Sequence, residues 1–281
     1  MDAATARVTA GGFPTFLRRW GAGPRAALLI HCSLGSSALW SGVAERLADG
    51  RRLTAFDLPG HGRSGDWRGP GDVQAQAAAM AGDLIEGPAD LIGHSFGATV
   101  ALRLAVERPD KVRSLTLIEP VLFALLAEAR PDLMARHDAE MADYAAAAAR
   151  GDWPLATRLF MAKWGDGRPW ESLPEAQRAT LTARIRVVEA ASAVLRDDPA
   201  GIVRPGALDR IAAPVLILEG AESPAYIAAI DAALAARLPH ARRAVVPGAG
   251  HMAPVTHPGA VAGEIRAFLG PAPEGAAPAA R

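Results

Sequence analysis

"LIGHSFGATVAL" runs from Leu91 to Leu102, and it holds the turn that decides the fold. An apolar run ends at Gly93, Ser95 follows, and a helical apolar pattern begins after Gly97. This is the pattern G-x-S-x-G with a strand before it and a helix after it. A side chain at either glycine would collide with the neighbouring chain in so sharp a turn. The pattern therefore predicts a nucleophilic hydroxyl at Ser95 that the turn lifts off the sheet, and its alternative is a glycine-rich turn whose serine only caps the helix.

The same plan of strand, loop and helix repeats on both sides of this turn. Short apolar runs alternate with helix-compatible stretches, which predicts an α/β fold with a mostly parallel, twisted sheet flanked by helices. The stretch at about 5–21 is expected to add antiparallel edge strands. The units that contain a strand and, in most cases, the loop after it are 25–32, 51–65, 89–95, 112–120, 213–224 and 241–251, and the helical stretches are 38–49, 72–86, 97–108 and 225–238.

The alternation stops between about 121 and 205, where no convincing strand occurs. Helices are expected there at 121–129, 131–149, 153–164 and 174–196. A helical insertion between two strands of such a sheet would cover the carboxyl ends of the strands, where ligand crevices lie. The predicted organisation is therefore a core of 1–120 and 206–270, a helical cap of 121–205 and a disordered tail of 271–281, which is rich in Pro, Ala and Gly.

Composition narrows the class of protein. Acidic and basic residues balance at 30 each, which argues against nucleic acid as a partner. The apolar runs are of strand length, so no membrane partner is expected, and the N-terminus lacks the pattern of a signal peptide. The single cysteine, Cys32, has no partner for an internal disulfide. We therefore expect a soluble cytoplasmic protein, with a homodimer left open.

A serine hydroxyl needs a base, and His251 is the predicted one. It ends "VVPGAGH", directly after the last predicted strand, where a loop histidine can reach over Ser95. His31 and His61 lie in loops at strand ends and are expected to make structural hydrogen bonds, while the side chain of His94 is expected to point away from the nucleophile. The remaining histidines are assigned no role: His137, His240 and His257.

The chain resembles the α/β-hydrolase fold superfamily over about residues 10–270. The motifs that carry the resemblance are, in order, "HCSLGSSALW" (31–40), "DLPGHGRSG" (57–65), "GHSFG" (93–97) and "GAGHMAP" (248–254). The resemblance implies an oxyanion hole formed by the backbone N–H groups of Ser33 and Phe96. Cys32 departs from the family, which generally has glycine there, and we expect a small, buried, inert thiol; the alternative is that it narrows the hole. In the second motif, Asp57 is expected to anchor the loop through backbone N–H bonds.

The sequence offers two candidates for the acid that orients His251. The family most often has an aspartate three residues after a glycine that follows the seventh strand, and that position holds Ser223. Glu222 is one residue early. The family's other location is the end of the sixth strand, where Glu119 closes an apolar run before Pro120. A buried carboxylate needs a partner, which His251 would supply. Glu119 is therefore preferred over Glu222, and a site with no functional acid is the third alternative.

The resemblance implies a serine hydrolase that acts on a small or medium carboxylic ester, with a thioester or lactone as further substrates. No metal cluster or dinucleotide fingerprint occurs in the sequence, so no cofactor is expected. The alternatives are a cofactor-free acyltransferase, a carbon–carbon bond hydrolase, a perhydrolase, and a non-catalytic binding member of the fold. Large apolar residues of the helical region either line an acyl pocket or form the core of the cap: Phe123, Met134, Trp153, Phe160, Met161, Trp164 and Trp170.

Overall fold

The computed structural model describes residues 3–69 and 71–271. Eight strands form one sheet in the order β1-β2-β4-β3-β5-β6-β7-β8. The six strands from β3 onward are parallel, and β1 and β2 add an antiparallel pair at one edge, as predicted for the N-terminal stretch. The strands are β1 (Ala4–Ala10), β2 (Phe13–Trp20), β3 (Arg25–Ile30), β4 (Arg51–Phe56), β5 (Ala89–His94), β6 (Val112–Ile118), β7 (Val215–Gly220) and β8 (Ala241–Val246).

Helices cover both faces of the sheet, because the central strands are apolar on both faces. All six residues of β5 are buried. Alternate residues of β3 point to opposite faces: Leu28 packs in the cluster that contains α2, α3 and α9, and Leu29 packs in the cluster that contains α1 and α11. These helices are α1 (Ser41–Leu47), α2 (Val73–Asp83), α3 (Phe96–Glu107), α9 (Ala225–Arg237) and α11 (Pro258–Leu269); α10 (Ala253–Thr256) is a single turn.

The chain between β6 and β7 is helical, as the missing strand signal indicated. Its helices are α4 (Phe123–Ala129), α5 (Pro131–Glu140), α6 (Ala142–Ala149), α7 (Trp153–Trp164) and α8 (Glu175–Asp197). One prediction was wrong in detail: the expected helix 131–149 is two helices that separate at Met141. The turn there is made by a residue with φ −99° and ψ 5°, and the sequence "AEMAD" contains neither the glycine nor the proline that marks most breaks.

The expected disordered tail, 271–281, lies outside the described residues except for Pro271. Within residues 3–69 and 71–271, no helix combines the length and the apolar character needed to cross a lipid bilayer.

Candidate active site

The turn between β5 and α3 places Ser95 in a strained backbone conformation. Its φ is +55° and its ψ is −119°, and residues other than glycine rarely adopt a positive φ. A Cβ on Gly93 would lie 2.4 Å from the carbonyl oxygen of Gly97, and a Cβ on Gly97 would lie 2.2 Å from that of Ile30. Both glycines are therefore required by the close approach of the backbone, as the sequence predicted.

Ser95, His251 and Glu119 form a continuous chain of hydrogen bonds. His251 follows β8 on a loop, and its Nε2 lies 3.0 Å from the Ser95 hydroxyl oxygen. Its Nδ1 lies 3.0 Å from Oε2 of Glu119. All three side chains are buried. Because a carboxylate accepts only, Nδ1 carries the proton and Nε2 is left as the acceptor for the serine O–H. This is the arrangement in which an imidazole can remove a proton from a serine.

Glu119 stands directly after the last residue of β6, where the sequence placed it. Its φ is +52°, so the backbone of Glu119 is strained, as that of Ser95 is. Oε1 of Glu119 accepts hydrogen bonds from the Gly220 N–H, at 2.5 Å, and from the Ser223 hydroxyl, at 2.7 Å. Glu222 is exposed, and its backbone N–H donates to the carbonyl of Ala249. Of the two acids considered from sequence, the structure brings Glu119 to the imidazole.

Ser33 and Phe96 are the two residues whose backbone N–H groups are expected to form the oxyanion hole. Ser33 lines the same cavity as Ser95. Phe96 is the first residue of α3, where a helix has backbone N–H groups with no partner inside the helix. Cys32 precedes Ser33 and is buried, and burial raises the pKa of its thiol to about 12. The thiol therefore stays protonated, as expected for an unreactive cysteine.

His31 and His61 hold the loops beside the site, as predicted. Nε2 of His31 accepts the Leu58 N–H at 2.9 Å, and Nε2 of His61 accepts the Leu34 N–H at 3.0 Å. In each ring the other nitrogen bonds a nearby backbone carbonyl. Burial lowers the pKa of His31 to about 4 and that of His61 to about 3. Both rings are therefore neutral hydrogen-bonding groups of the loops.

Asp57 anchors its loop in the predicted way. Its two carboxylate oxygens accept the backbone N–H groups of Ser37, at 2.6 Å, and of Arg63, at 2.8 Å. A Cβ on Gly62 would lie 1.9 Å from this carboxylate. The loop is therefore folded around the buried acid, which has a structural role.

His94 is turned away from the Ser95 hydroxyl, as expected, but it contacts the backbone of the other end of the site. Its Nε2–H donates to the carbonyl oxygen of His251 at 2.8 Å. Its Nδ1 is buried and has no partner among the described residues. Burial lowers the pKa of His94 to about 3, so the ring is neutral. It fastens the loop that carries His251 to the turn that carries Ser95.

A cavity of about 300 Å³ opens above the Ser95 hydroxyl. Its walls are mostly apolar, and the Trp164 ring meets the His251 ring edge-on, with 4.6 Å between centroids. Some of the large apolar residues of the helical region line the cavity, and the others form the core between the helices. Phe123, Phe160 and Trp164 line the cavity, whereas the other large residues pack elsewhere among the helices: Met134, Trp153, Met161 and Trp170.

The cavity wall also has a polar part, which was not predicted from the sequence. His137 was assigned no role, yet it lines the cavity and its ring packs against that of Phe123, with 4.3 Å between ring centroids. Burial is the main cause that lowers the pKa of His137. Tyr144 and Glu189 also line the cavity and bond each other. No local motif marks these residues, because they come from different helices of one region and meet only in the folded chain.

No group of three or more histidine, cysteine, aspartate or glutamate side chains suited to hold a metal ion occurs within the part of the chain that the structure describes.

Comparison with known proteins identifies a family and relatives that match this chain in large part or over a shorter segment. Residues 27–264 match the model of the alpha/beta hydrolase family. The pimeloyl-[acyl-carrier protein] methyl ester esterase of Neisseria meningitidis serogroup C is 31% identical over 247 residues, which are 86% of this chain and 92% of that protein. Lipase LipV of Mycobacterium tuberculosis is 38% identical over 110 residues, 38% of this chain, and the match spans only 41% of the lipase.

Among solved structures, a hydrolase from Pseudomonas aeruginosa PA01 superposes with a TM-score of 0.72 at 24% identity. The superposition covers 95% of this chain and 98% of that one. At this level of identity the likeness shows the shared fold alone.

Proposed function

The chain belongs to the alpha/beta hydrolase family, and from this premise we propose that it is a serine hydrolase that cleaves carboxylic esters through an acyl-enzyme on Ser95. The observation that carries the proposal is the pair of 3.0 Å contacts that His251 makes with Ser95 and Glu119. The strained φ at Ser95 and at Glu119 supports it, because strain of this kind persists where the surrounding structure holds a residue for a function.

The first half of the reaction forms the acyl-enzyme. The Ser95 oxygen attacks the ester carbonyl carbon, and its proton passes to Nε2 of His251. Glu119 stabilises the imidazolium that results. The oxyanion of the tetrahedral intermediate accepts hydrogen bonds from the N–H groups of Ser33 and Phe96, and loss of one such donor typically costs about 3 kcal/mol of transition-state stabilisation. The imidazolium then gives its proton to the leaving oxygen, and the alcohol departs.

The second half repeats the same steps with water. Nε2 of His251 removes a proton from a water molecule, whose oxygen attacks the acyl carbon. When the intermediate collapses, the proton returns to the Ser95 oxygen and the carboxylic acid leaves. No step requires a metal ion or a cofactor.

The cavity indicates the size of the substrate. About 300 Å³ lies at the lower end of the range for ligand pockets, which favours a small or medium acyl ester. The name of the Neisseria relative points to a methyl ester, so methyl esters of medium-chain acids come first, with thioesters and lactones next. We propose that residues 121–205 act as the cap of this site, because helices α4 to α8 supply most of the cavity wall. The expected partner is a small acyl substrate rather than nucleic acid or a membrane.

The test is covalent labelling of the nucleophile. The purified protein is treated with a fluorophosphonate, the adduct is located by mass spectrometry, and Ser95→Ala serves as the control. We expect a single adduct on Ser95 and turnover of esters in a following screen. A folded protein that neither takes the label nor hydrolyses any ester would contradict the proposal. Preferential acyl transfer to an added alcohol, with water as the poorer acceptor, would assign a transferase instead.

A further inference from the structure

The face of α8 that borders the cavity carries polar side chains that the proposed reaction does not use. Glu189, Ser192 and Arg196 are spaced three and four residues apart, so they share one face of the helix, and all three line the cavity. Tyr144 of α6 lines the cavity too, and its hydroxyl donates to Oε2 of Glu189 at 3.0 Å. A bound substrate would therefore meet charged groups as well as apolar ones.

The two charged residues of this wall differ in how their charge is balanced. A guanidinium nitrogen of Arg196 lies 2.5 Å from Oδ1 of Asp138. Arg196 is the main cause that lowers the pKa of Asp138, so this carboxylate stays ionised and offsets the positive charge. Glu189 is bound by a phenol instead. Burial and the charge of Glu189 raise the pKa of Tyr144, so the phenol stays neutral and leaves the negative charge in place.

The other titratable groups around the cavity do not cancel this charge. The lowered pKa of His137 keeps that ring neutral near pH 7. Arg136 and Lys163 both bind Glu140, and none of these three side chains lines the cavity. Glu119 adds a second negative charge behind the imidazole of His251. Of the two charged side chains that line the cavity, Arg196 is therefore neutralised by an ion pair, whereas Glu189 is not.

We propose that this cavity selects esters that carry a cationic or hydrogen-bond-donating group remote from the ester carbonyl over esters that carry a carboxylate there, with Glu189 as the residue that discriminates. The inference rests on the proposed function, since it concerns the substrate of the same cavity. Glu189 is exposed at the cavity, so water and salt screen its charge. The expected discrimination is therefore moderate, about five-fold or more between a cationic and an anionic ligand of the same length.

Ligand binding tests the charge of the cavity without requiring turnover. Hexylamine, which is protonated at pH 7, is compared with hexanoate and hexanol by isothermal titration calorimetry at low ionic strength. We expect hexylammonium to bind the wild-type protein about five-fold more tightly than hexanoate, and we expect Glu189→Gln to bring the two Kd values within about two-fold of each other. Glu175→Gln removes the same charge from the first turn of α8, away from the cavity lining, and is expected to leave the ratio unchanged.

A bulky substitution shows where the ligands bind. Ala145 lines the cavity, so Ala145→Trp should abolish binding of all three hexyl ligands. The inference is overturned if hexanoate binds as tightly as hexylammonium, if Glu189→Gln keeps the ratio, or if none of the three ligands binds the wild-type protein. Because none of these outcomes depends on ester cleavage, they are independent of whether Ser95 proves to be a nucleophile.

For turnover, methyl 6-aminohexanoate is compared with the monomethyl ester of adipic acid. The ratio of their kcat/KM values is expected to exceed about five in the wild-type enzyme and to approach one in Glu189→Gln. Equal kcat/KM values for the two esters in the wild-type enzyme would contradict the inference even where the ester screen succeeds.

Discussion

The Ser223 hydroxyl donates a 2.7 Å hydrogen bond to Oε1 of Glu119, while Oε2 of the same carboxylate faces His251. Ser223 occupies the position at which the resembled family usually has its acid. The backbone N–H of Gly220 binds Oε1 as well. Two donors from the end of β7 therefore hold one oxygen of the carboxylate, so that the other remains directed at the imidazole. Ser223 is on these grounds a positioning residue.

Replacing Ser223 by alanine should slow the reaction without weakening substrate binding. A hydrogen bond to a charged group contributes about 1.5–3 kcal/mol, so we expect kcat and kcat/KM to fall together by about ten-fold or more. Ser223 contacts no substrate in the proposed reaction, so KM should stay constant. Steady-state kinetics on the best ester gives the result, and Ser223→Thr, which keeps the hydroxyl, should restore most of the rate. A rise in KM at constant kcat would show that Ser223 acts on binding instead.

The two candidate acids are separated by a matched pair of substitutions. Glu119→Gln keeps the shape of the side chain but removes its charge. The proton on Nδ1 of His251 then no longer faces a carboxylate. We expect kcat to fall by about a thousand-fold to ten-thousand-fold. Glu222→Gln should stay within about two-fold of the wild-type rate. Kinetic constants for both variants, with thermal unfolding as a check of the fold, decide the matter; the reverse order of effects would overturn the assignment of Glu119.

Three buried neutral histidines should make the protein sensitive to acid. Burial lowers the pKa of His31 to about 4 and those of His61 and His94 to about 3, whereas the unfolded chain binds these protons near pH 6.5. Protonation therefore favours the unfolded state, and stability is lost as the pH falls from about 6.5 towards 4. Each histidine contributes about 1.4 kcal/mol per pH unit there, or roughly 4 kcal/mol per unit for the three.

Urea unfolding at pH 7, 6 and 5 measures this slope. His94→Asn removes one of the three groups and should reduce the slope by about 1.4 kcal/mol per pH unit, whatever its effect on stability at pH 7. A free energy of unfolding that does not change between pH 7 and 5 would contradict the prediction.

Asp231 of α9 should affect stability in the opposite direction. It is fully buried, and no donor group among the described residues reaches its carboxyl oxygens. Burial, with the charges of Glu119 and Glu219 nearby, raises the pKa of Asp231 well above its ordinary value. The unfolded chain releases this proton near pH 4 and the folded chain keeps it, so the group costs about 1.4 kcal/mol for each pH unit between the two pKa values.

Asp231→Asn is therefore expected to be more stable than the wild type at pH 7, with a smaller difference at pH 4.5. Urea unfolding at both values supplies the comparison, and Asp49→Asn, a change at an exposed residue, is the control that should show no such trend. A variant that is equally or less stable than the wild type at pH 7 would show that Asp231 is ionised in the folded protein.

Local chemistry made the sharp turn at Ser95 predictable. The glycines at 93 and 97 are demanded by contacts of their own backbone with neighbouring carbonyls, which is a property of the turn itself. The place of His251 followed in the same way from its position after the last strand. Such features can be predicted from sequence because the strand order of this fold brings the carboxyl ends of the strands to one edge.

The acid and the cavity wall could not be decided in that way. Glu119 and Glu222 were both compatible with the sequence, and the choice depends on how β6 and β7 lie side by side, with the Glu119 N–H bonded to Leu218. His137 and Glu189 are 52 positions apart and meet across a cavity. A single sequence contains no local signal for such a meeting, because it arises from helix packing.

The chain order of the site has a consequence for how the family can diversify. Ser33, Ser95, Phe96 and Glu119 all precede the helical region, and the histidine at 251 follows it. The 131 positions between Glu119 and His251 contain no group proposed to touch the reacting atoms, although they supply most of the cavity wall. Mutations in that interval can change which ester is accepted while the bond-breaking groups stay in place, so substrate range and chemistry can evolve as separate traits.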